Sequence, residues 1–308
     1  MKSFISTQRM EHIFVVNPHA GGRDQSTHIT RLVRATLPEA EVYITRGPRD
    51  ATRFVAERCR RGGALRFYAC GGDGTLNEVV SGVMESGEGQ VEVGCFPCGS
   101  GNDYIKCWPE ADFGDLAALA AAPSQPVDLL QVGGRYCINV LNFGFEAEVC
   151  RTMEQVRRWP LVGGRAAYVV GIVHCLLHRR HTPCRLTVDD EAWYDGDMLL
   201  GSAACGRYVG GGYLCAPRAV VDDGWLEAQC IESLGIPRFL KLIGPYRHGR
   251  HLDMPQAHDV VHHRRAHSMC IESDRELHVV VDGELLSGRR FEARLLPKAI
   301  NFIVPQTN

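Results

Sequence analysis

Cys70-Gly71-Gly72-Asp73-Gly74-Thr75-Leu76-Asn77-Glu78 is the stretch whose reading decides the fold. The apolar run Leu65 to Cys70 ahead of it reads as a buried strand. Behind it, Leu76, Val79, Val80 and Val83 recur at the spacing of a helix packed on a sheet. A strand, a glycine turn and a helix in that order leave uncovered N–H groups at the helix start. Such a terminus binds anions, because its donors are unpaired and its dipole is positive there. The glycines let a phosphate come close to the backbone. Asp73 is awkward beside a phosphate unless a cation sits between them, so the loop suggests a metal–nucleotide complex. A purely structural turn is the competing reading, and it loses ground only because related loops recur elsewhere in the chain.

The chain has 308 residues, enough for two domains with sizeable cores. Apolar residues make up 45% and charged residues 23%, as in an ordinary globular protein. A formal net charge of −2 argues against bulk attraction to nucleic acid. The thirteen cysteines are scattered singly, and Met1 to Gln8 lacks the apolar core of a secretory signal. Reduced thiols in a cytoplasmic protein are therefore expected. Cys95 and Cys98 form a C-x-x-C, but no second pair completes a zinc pattern, so the spacing reads as chance. The longest apolar stretch, Ala166 to Leu177, contains His174 and is too short to span a bilayer.

Outward from the central loop, His12 to Val16 reads as a strand ending in the loop Asn17-Pro18-His19-Ala20-Gly21-Gly22. Ile29, Leu32, Val33 and Leu37 form a helical stripe, and Glu41 to Thr45 alternates like a strand. Asp50 is placed to cap the next helix, whose buried face is Ala51, Phe54, Val55 and Cys59. Val91 to Phe96 is a further strand, followed by Pro97-Cys98-Gly99-Ser100-Gly101-Asn102-Asp103. This alternation predicts a doubly wound, mostly parallel sheet in an α/β domain. Three glycine loops then fall at strand carboxyl ends, on the rim where such sheets bind ligands.

From Pro126 onward short strand-like runs dominate: Val127 to Val132, Tyr136 to Phe143, Cys184 to Val188, Met198 to Cys205, Leu226 to Ile231, Glu276 to Val281 and Glu292 to Leu296. They predict an antiparallel β-sandwich. Helices are expected over Arg165 to His178 and near Arg238 to Tyr246. The domains are expected at 1–130 and 131–297, with 298–308 returning to the first.

With these motifs in order, the chain resembles the diacylglycerol-kinase catalytic family, especially its bacterial soluble lipid kinases. Asn17-Pro18-x-x-Gly21-Gly22, the Gly71 to Val79 loop and Pro97-x-Gly99-Ser100-x-Asn102-Asp103 are similar to the three family loops. Gly144-Phe145-Glu146-Ala147, Gly210-Gly211-Gly212, Ala216-Pro217-x-Ala219, Asp223-Gly224 and Asp282-Gly283-Glu284 follow in family order. Ser100 stands where the family has Thr, and Glu146 where it has Asp. NAD kinases and phosphofructokinases share Gly-Gly-Asp-Gly, so that motif alone would not be specific.

The resemblance implies an ATP- and Mg²⁺-dependent kinase acting on a lipid hydroxyl. Asn17, Pro18, Gly21, Thr45, Gly71, Gly72, Asp73, Gly74, Thr75, Leu76, Asn77, Gly99, Ser100 and Asn102 would meet the nucleotide. Asp73, Asp103 and Asp128 offer the hard oxygen ligands that suit Mg²⁺. A separate structural Mg²⁺ is implied at Asp223, with the carbonyls of Val220 and Trp225. Asp282 and Glu284, two apart on extended chain, are expected to face one side. Glu284 is favoured as general base, with Asp282 as rival or helper; an ordinary Asp-Gly hairpin turn is the alternative.

A lipid substrate would be met at the membrane surface. The stripe Tyr168, Val169, Ile172, Val173, Leu176 has Arg157, Arg158 and Arg165 before it and Arg179 and Arg180 after it, which suits a membrane-surface helix or a helix packed with solvated ends. Lys241, Arg247, His248, Arg250 and His251 form a second basic patch. His262 and His263 lack metal spacing and read as solvated surface. A soluble-metabolite kinase of the NAD-kinase type and a catalytically silent lipid-binding regulator are the competing functions. The sequence leaves the oligomeric state, including a homodimer, open.

Overall fold

Four consecutive residues of the first strand, Ile13 to Val16, are fully buried. Neighbouring strand residues point to opposite faces, so this sheet is covered on both sides, as a parallel sheet must be. The computed structural model describes residues 9–87, 90–156, 171–177 and 181–306. β1 (Glu11–Val16), β2 (Glu41–Ile44), β3 (Ala64–Gly71) and β4 (Gln90–Pro97) pair in parallel in the order β2-β1-β3-β4. The register sets Val16 against Ile44 and Cys70, and Gly71 against Pro97. The strand carboxyl ends are therefore level, which puts the loops after them on one rim.

The connecting helices are α1 (Ser26–Thr36), α2 (Asp50–Arg60) and α3 (Asp73–Ser86), with a short α4 (Leu116–Ala121) before the chain leaves this unit. Gly82 lets α3 close on α2; a Cβ there would lie 2.6 Å from the Thr52 carbonyl and 2.7 Å from Val55 Cβ. The expected cap of α2 is corrected. Asp50 is already helical, and its carboxylate accepts hydrogen bonds from Tyr43 Oη and Arg46 N, both at 2.9 Å. The Ala51 N–H is instead met by Glu78 Oε2 at 3.2 Å, reaching across from α3.

This unit runs to Val127 and takes in the chain again from Lys298. Asn301 and Phe302, at the end of β13 (Glu284–Ile303), pair parallel with Glu92 and Val93. Phe302 is fully buried among Tyr104, Trp108 and Phe113.

The second unit, Asp128–Pro297, is an antiparallel sandwich. β5 (Ser124–Val132) turns at Gly133-Gly134 into β6 (Arg135–Cys137). β7 (Val140–Gly144) pairs with β9 (Glu191–Ala204) and β12 (Ser268–Val281), and β8 (Thr182–Val188) bridges the same two strands. β10 (Leu226–Glu232) and β11 (Val261–Ala266) extend the sheet beyond β9. β7 alternates between two cores: Leu141 and Phe143 enter one, and Val140 the other. The second core is closed by α5 (Phe145–Val156), α6 (residues 171–177) and α7 (Ile236–Arg247), through Val149, Cys175, Phe239 and Tyr246.

Several expectations need correcting. The single run Tyr136 to Phe143 is broken at Ile138-Asn139, for a reason given below. β11 and α5 had no strand or helix assigned. His262 and His263 are part-buried rather than solvated: they meet Glu232 and Glu227 across the β10–β11 ladder. His251 leaves the basic patch; it is fully buried against Gln229 Oε1, and burial lowers its pKa to about 4. Tyr168, Val169 and the five flanking arginines lie outside the described residues. Of the rest of that stripe, Ile172 and Leu176 pack inward while Val173 is exposed. No described helix is long and apolar enough to cross a membrane. All thirteen cysteines are free thiols; burial raises the pKa of Cys95 and, to about 11, that of Cys98.

Phe302→Ala should cost about 3–5 kcal/mol, since the aromatic nest around it is fixed on several sides. Urea unfolding followed by fluorescence measures this; a loss below about 1 kcal/mol would show that the returning segment is not part of the first core.

Candidate active site

The level strand ends bring three loops together. Asn17, just past β1, donates its own N–H to the Cys70 carbonyl at 3.0 Å. Its side chain ties two loops: Nδ2 donates to Thr75 Oγ1 at 3.0 Å, and Oδ1 accepts the His19 N–H at 2.9 Å. Pro18 carries the turn onward, and Gly21, at φ 67°, comes so near the third loop that a Cβ would sit 2.4 Å from the Cys98 carbonyl. Thr45, buried past the end of β2, donates its N–H to the Val16 carbonyl at 2.9 Å.

Gly71 accepts the N–H groups of Cys98 and Gly99 at 2.9 and 3.1 Å, locking the second loop to the third. The closest approach is at Gly72 and Gly99: a Cβ built on Gly99 would lie 2.4 Å from Gly72 Cα. Only a residue without a side chain fits there. Thr75 folds back over Gly71, where a Cβ would meet its Oγ1 at 2.2 Å. Gly74 stands open in the first turn of α3. The Asn102 amide closes the third loop on Gly99, donating Nδ2 to its carbonyl at 2.9 Å, from a backbone at φ 49°. Ser100 is exposed on the same loop, and Asn77 is part-buried on α3.

One nucleotide residue expected from the sequence does not face the rim. Leu76 is buried in the core, and its N–H is spent on the Gly72 carbonyl at 3.1 Å. Its contribution is to anchor α3.

Asp73 begins α3, and its Oδ1 accepts the N–H groups of Asp103 and Tyr104 at 2.6 and 3.2 Å. Its other oxygen converges with that of Asp103. The position of a Cβ on Gly101 would be 2.8 Å from Asp73 Oδ2 and 3.5 Å from Asp103 Oδ2. Asp103 is buried, and its Oδ1 pairs with Lys106. Two carboxylate oxygens near the same point are the donor type that suits Mg²⁺. Among the described residues no cluster of three or more metal-ligating side chains forms.

The remaining acids lie in the second unit. Asp128 is fully buried; its Oδ2 accepts the Gly224 N–H at 2.7 Å, and its own N–H goes to the Val221 carbonyl at 2.7 Å. Asp223, between the exposed Val220 and Trp225, is ion-paired with Arg265.

Asp282 and Glu284 do not share a face, contrary to expectation. Asp282 (φ 46°) and Gly283 (φ 90°) are the two central residues of a tight hairpin turn, since Val281 pairs directly with Glu284. The Asp282 carboxylate turns inward and accepts N–H groups from Ile138 (2.7 Å), Asn139 (3.1 Å) and Val140 (3.1 Å). This is what breaks the Tyr136 to Phe143 run. Glu284 is half-exposed and paired with Arg135.

Two further polar residues of the second unit are held in place: Asn139, which the sequence did not single out, and Glu146, noted there only as a departure from the family. Asn139, held by Asp282, donates Nδ2 to the Tyr208 carbonyl at 2.8 Å and fixes the loop entering the Gly210–Gly212 bend. At the start of α5, Glu146 accepts from Tyr246 Oη at 3.0 Å, while burial raises its carboxyl to about 7.

Comparison with known proteins gives two matches to family models. Residues 11–132 match the diacylglycerol kinase catalytic domain, and residues 139–304, more than half of the chain, match the YegS C-terminal NAD kinase beta sandwich-like domain. A probable lipid kinase, YegS-like, from Chromohalobacter salexigens is 29% identical over 89% of this chain and 86% of its own. Another from Pseudomonas aeruginosa (strain PAO1) is 28% identical over 95% and 94%. The crystal structure of a diacylglycerol kinase from Bacillus anthracis superposes with TM-score 0.71 at 22% identity, covering 96% of each chain. An NAD kinase from Archaeoglobus fulgidus in complex with ATP superposes with TM-score 0.52 at 11% identity, over 96% of this chain and 93% of that one.

Gly99→Ala should destabilise the protein by about 1–3 kcal/mol through the forced separation from Gly72. Gly74→Ala, in an open helical position, should leave stability unchanged or raise it by about 0.5–1 kcal/mol. Chemical denaturation of the pair checks this; equal effects at both positions would mean the loops are not in contact.

Proposed function

The chain belongs to the YegS-like branch of the diacylglycerol-kinase family, and on that premise we propose that it transfers the γ-phosphate of ATP to a hydroxyl of diacylglycerol or a related lipid. The observation that carries this is the convergence of the Asn17, Gly71–Thr75 and Gly99–Asn102 loops on one rim, beside the paired Asp73 and Asp103 oxygens. Phosphoryl transfer asks for little else from a protein: charge neutralisation, alignment, and a route for one proton.

In this reading the helix-start amides around Gly72 and Gly74, with Thr75 and Ser100, hold the phosphates. Thr45 and Pro18 border the nucleoside side, and the Asn17 and Asn102 side chains keep the loops closed. Asp73 and Asp103 would hold Mg²⁺; when bound, the ion neutralises phosphate charge. Asp128 is proposed as a further ligand. Glu284 accepts the proton of the lipid hydroxyl. The acceptor oxygen then forms its bond to the γ-phosphorus in line as the bond to the β–γ bridging oxygen breaks, and ADP leaves. Asp282 is a positioning residue in this scheme. Its oxygens are occupied by backbone N–H groups, and it sets the turn from which Glu284 emerges.

The acceptor is met at the cytoplasmic membrane surface by a peripheral contact. Lys241, Arg247 and Arg250, with the exposed Leu240 between Phe239 and Lys241, offer charge and apolar area for it.

Glu284→Gln should lower kcat on lipid vesicles by about 10²- to 10⁴-fold with the KM for ATP unchanged. Asp282→Asn should lower kcat and the melting temperature together. Labelled ATP with a panel of diacylglycerol, phosphatidylglycerol, sphingoid bases, polyprenols and NAD reads the acceptor. Full turnover by Glu284→Gln, or phosphorylation of NAD in preference to every lipid, would contradict the proposal.

A further inference from the structure

The turn at Asp223 is where the family resemblance implies a structural divalent cation, and the side chains there are arranged for something else. The β10–β11 register sets Arg265 opposite Glu227. Its guanidinium lies over the Trp225 indole, 5.1 Å from the ring centroid, while His267 packs 4.1 Å from the same ring. From that seat Arg265 pairs with Asp223 Oδ2 and lies 3.7 Å from Glu227 Oε1. The other Asp223 oxygen accepts the Trp225 N–H at 3.1 Å. The other Glu227 oxygen is taken by His263, and Glu227 is almost completely buried. Asp128 closes the turn from below through Gly224 N and the Val221 carbonyl.

A hard cation at this turn would need the Asp223 carboxylate, whose oxygens already accept from the Arg265 guanidinium and from the Trp225 N–H. It would also sit beside a guanidinium, whose charge cannot be removed at any working pH and which offers no acceptor atom to a metal. The acids are thus met by groups the chain carries itself: the Arg265 guanidinium serves Asp223 and Glu227, and His263 hydrogen-bonds the second Glu227 oxygen. The residues present do not fit the implied ion.

We propose that the Arg265 guanidinium takes the place of the divalent cation at the Asp223 turn, so that this segment is ordered without metal. The inference rests on the family reading, because that is what implies an ion at Asp223, and not on the phosphoryl-transfer scheme. It separates the two metal roles: the ion at Asp73 and Asp103 would come and go with nucleotide, while the β-sandwich keeps its shape in chelator.

The test is thermal unfolding of the full chain without nucleotide, in EDTA and in millimolar Mg²⁺ or Mn²⁺. The wild type and Asp223→Asn should show the same divalent-minus-EDTA shift, because no ion is lost with Asp223. Arg265→Gln should melt several degrees below wild type in EDTA, and Asp223→Asn/Arg265→Gln should melt no lower than the more affected single variant. A divalent-induced rise that is larger in wild type than in Asp223→Asn would overturn the proposal. So would Arg265→Gln melting at the wild-type temperature in EDTA. If Arg265→Gln fails to fold, the comparison of wild type with Asp223→Asn decides alone. None of these readouts depends on turnover, so the kinase reading can fail while this one stands, and the reverse.

Discussion

The contact between Gly72 and Gly99 is the constraint on which the first unit depends. Two loops from adjacent strands approach until there is no room for a single methyl group, and Gly21 does the same against the Cys98 carbonyl. Such proximity is possible because β1, β3 and β4 end at the same level, and the level ends follow from a parallel register fixed by fully buried apolar runs. Backbone pressed on backbone has a chemical consequence. Where side chains are excluded, N–H groups and carbonyls become the surface, and the start of α3 adds its dipole to them. The sheet's packing thereby gathers backbone donors on one rim with the Asp73 and Asp103 oxygens beside it, which is the arrangement the proposed phosphoryl transfer calls on.

In the second unit the same economy is achieved with buried charge. Asp282 sits in a two-residue turn with both oxygens facing N–H groups of the Ile138–Val140 bend, and Asn139 passes that constraint on to the loop around Tyr208. An uncompensated carboxylate at this depth would be strongly destabilising, and its donors are what make the burial tolerable. Asp128 and Glu227 repeat the pattern with an amide donor and with His263 and Arg265. The acids a sequence reading marks as catalytic or metal-binding thus divide into those spent on holding turns and those left at the surface. Glu284 belongs to the second group.

Much of the first unit was legible because its signals are local. Apolar runs of four to eight residues, glycines after them and helical stripes between them report strand, loop and helix without knowledge of partners. The two-unit order and the sandwich were legible from the change of period after Pro126. What the sequence concealed depends on contacts distant along the chain. Val-His-His-Arg-Arg-Ala at 261–266 looks like surface until β10 brings Glu227 and Glu232 diagonally across the ladder to its histidines. Tyr136 to Phe143 reads as one strand because the carboxylate that breaks it comes from residue 282. Asp282 and Glu284 appear to share a face only if the chain is taken as extended between them; two positive φ values undo that. Leu76 was counted with the nucleotide loop by adjacency, although its place in the α3 stripe already pointed inward.

The proposed phosphoryl transfer requires the rim of glycine loops to take up a triphosphate. Hydrogen–deuterium exchange of the full chain, with and without ATP and Mg²⁺, tests this directly. Exchange should slow at Asn17 to Gly22, at Gly71 to Thr75 and at Gly99 to Asp103, with smaller changes elsewhere. Unchanged exchange in all three loops, with protection appearing at some other segment under saturating nucleotide, would contradict it.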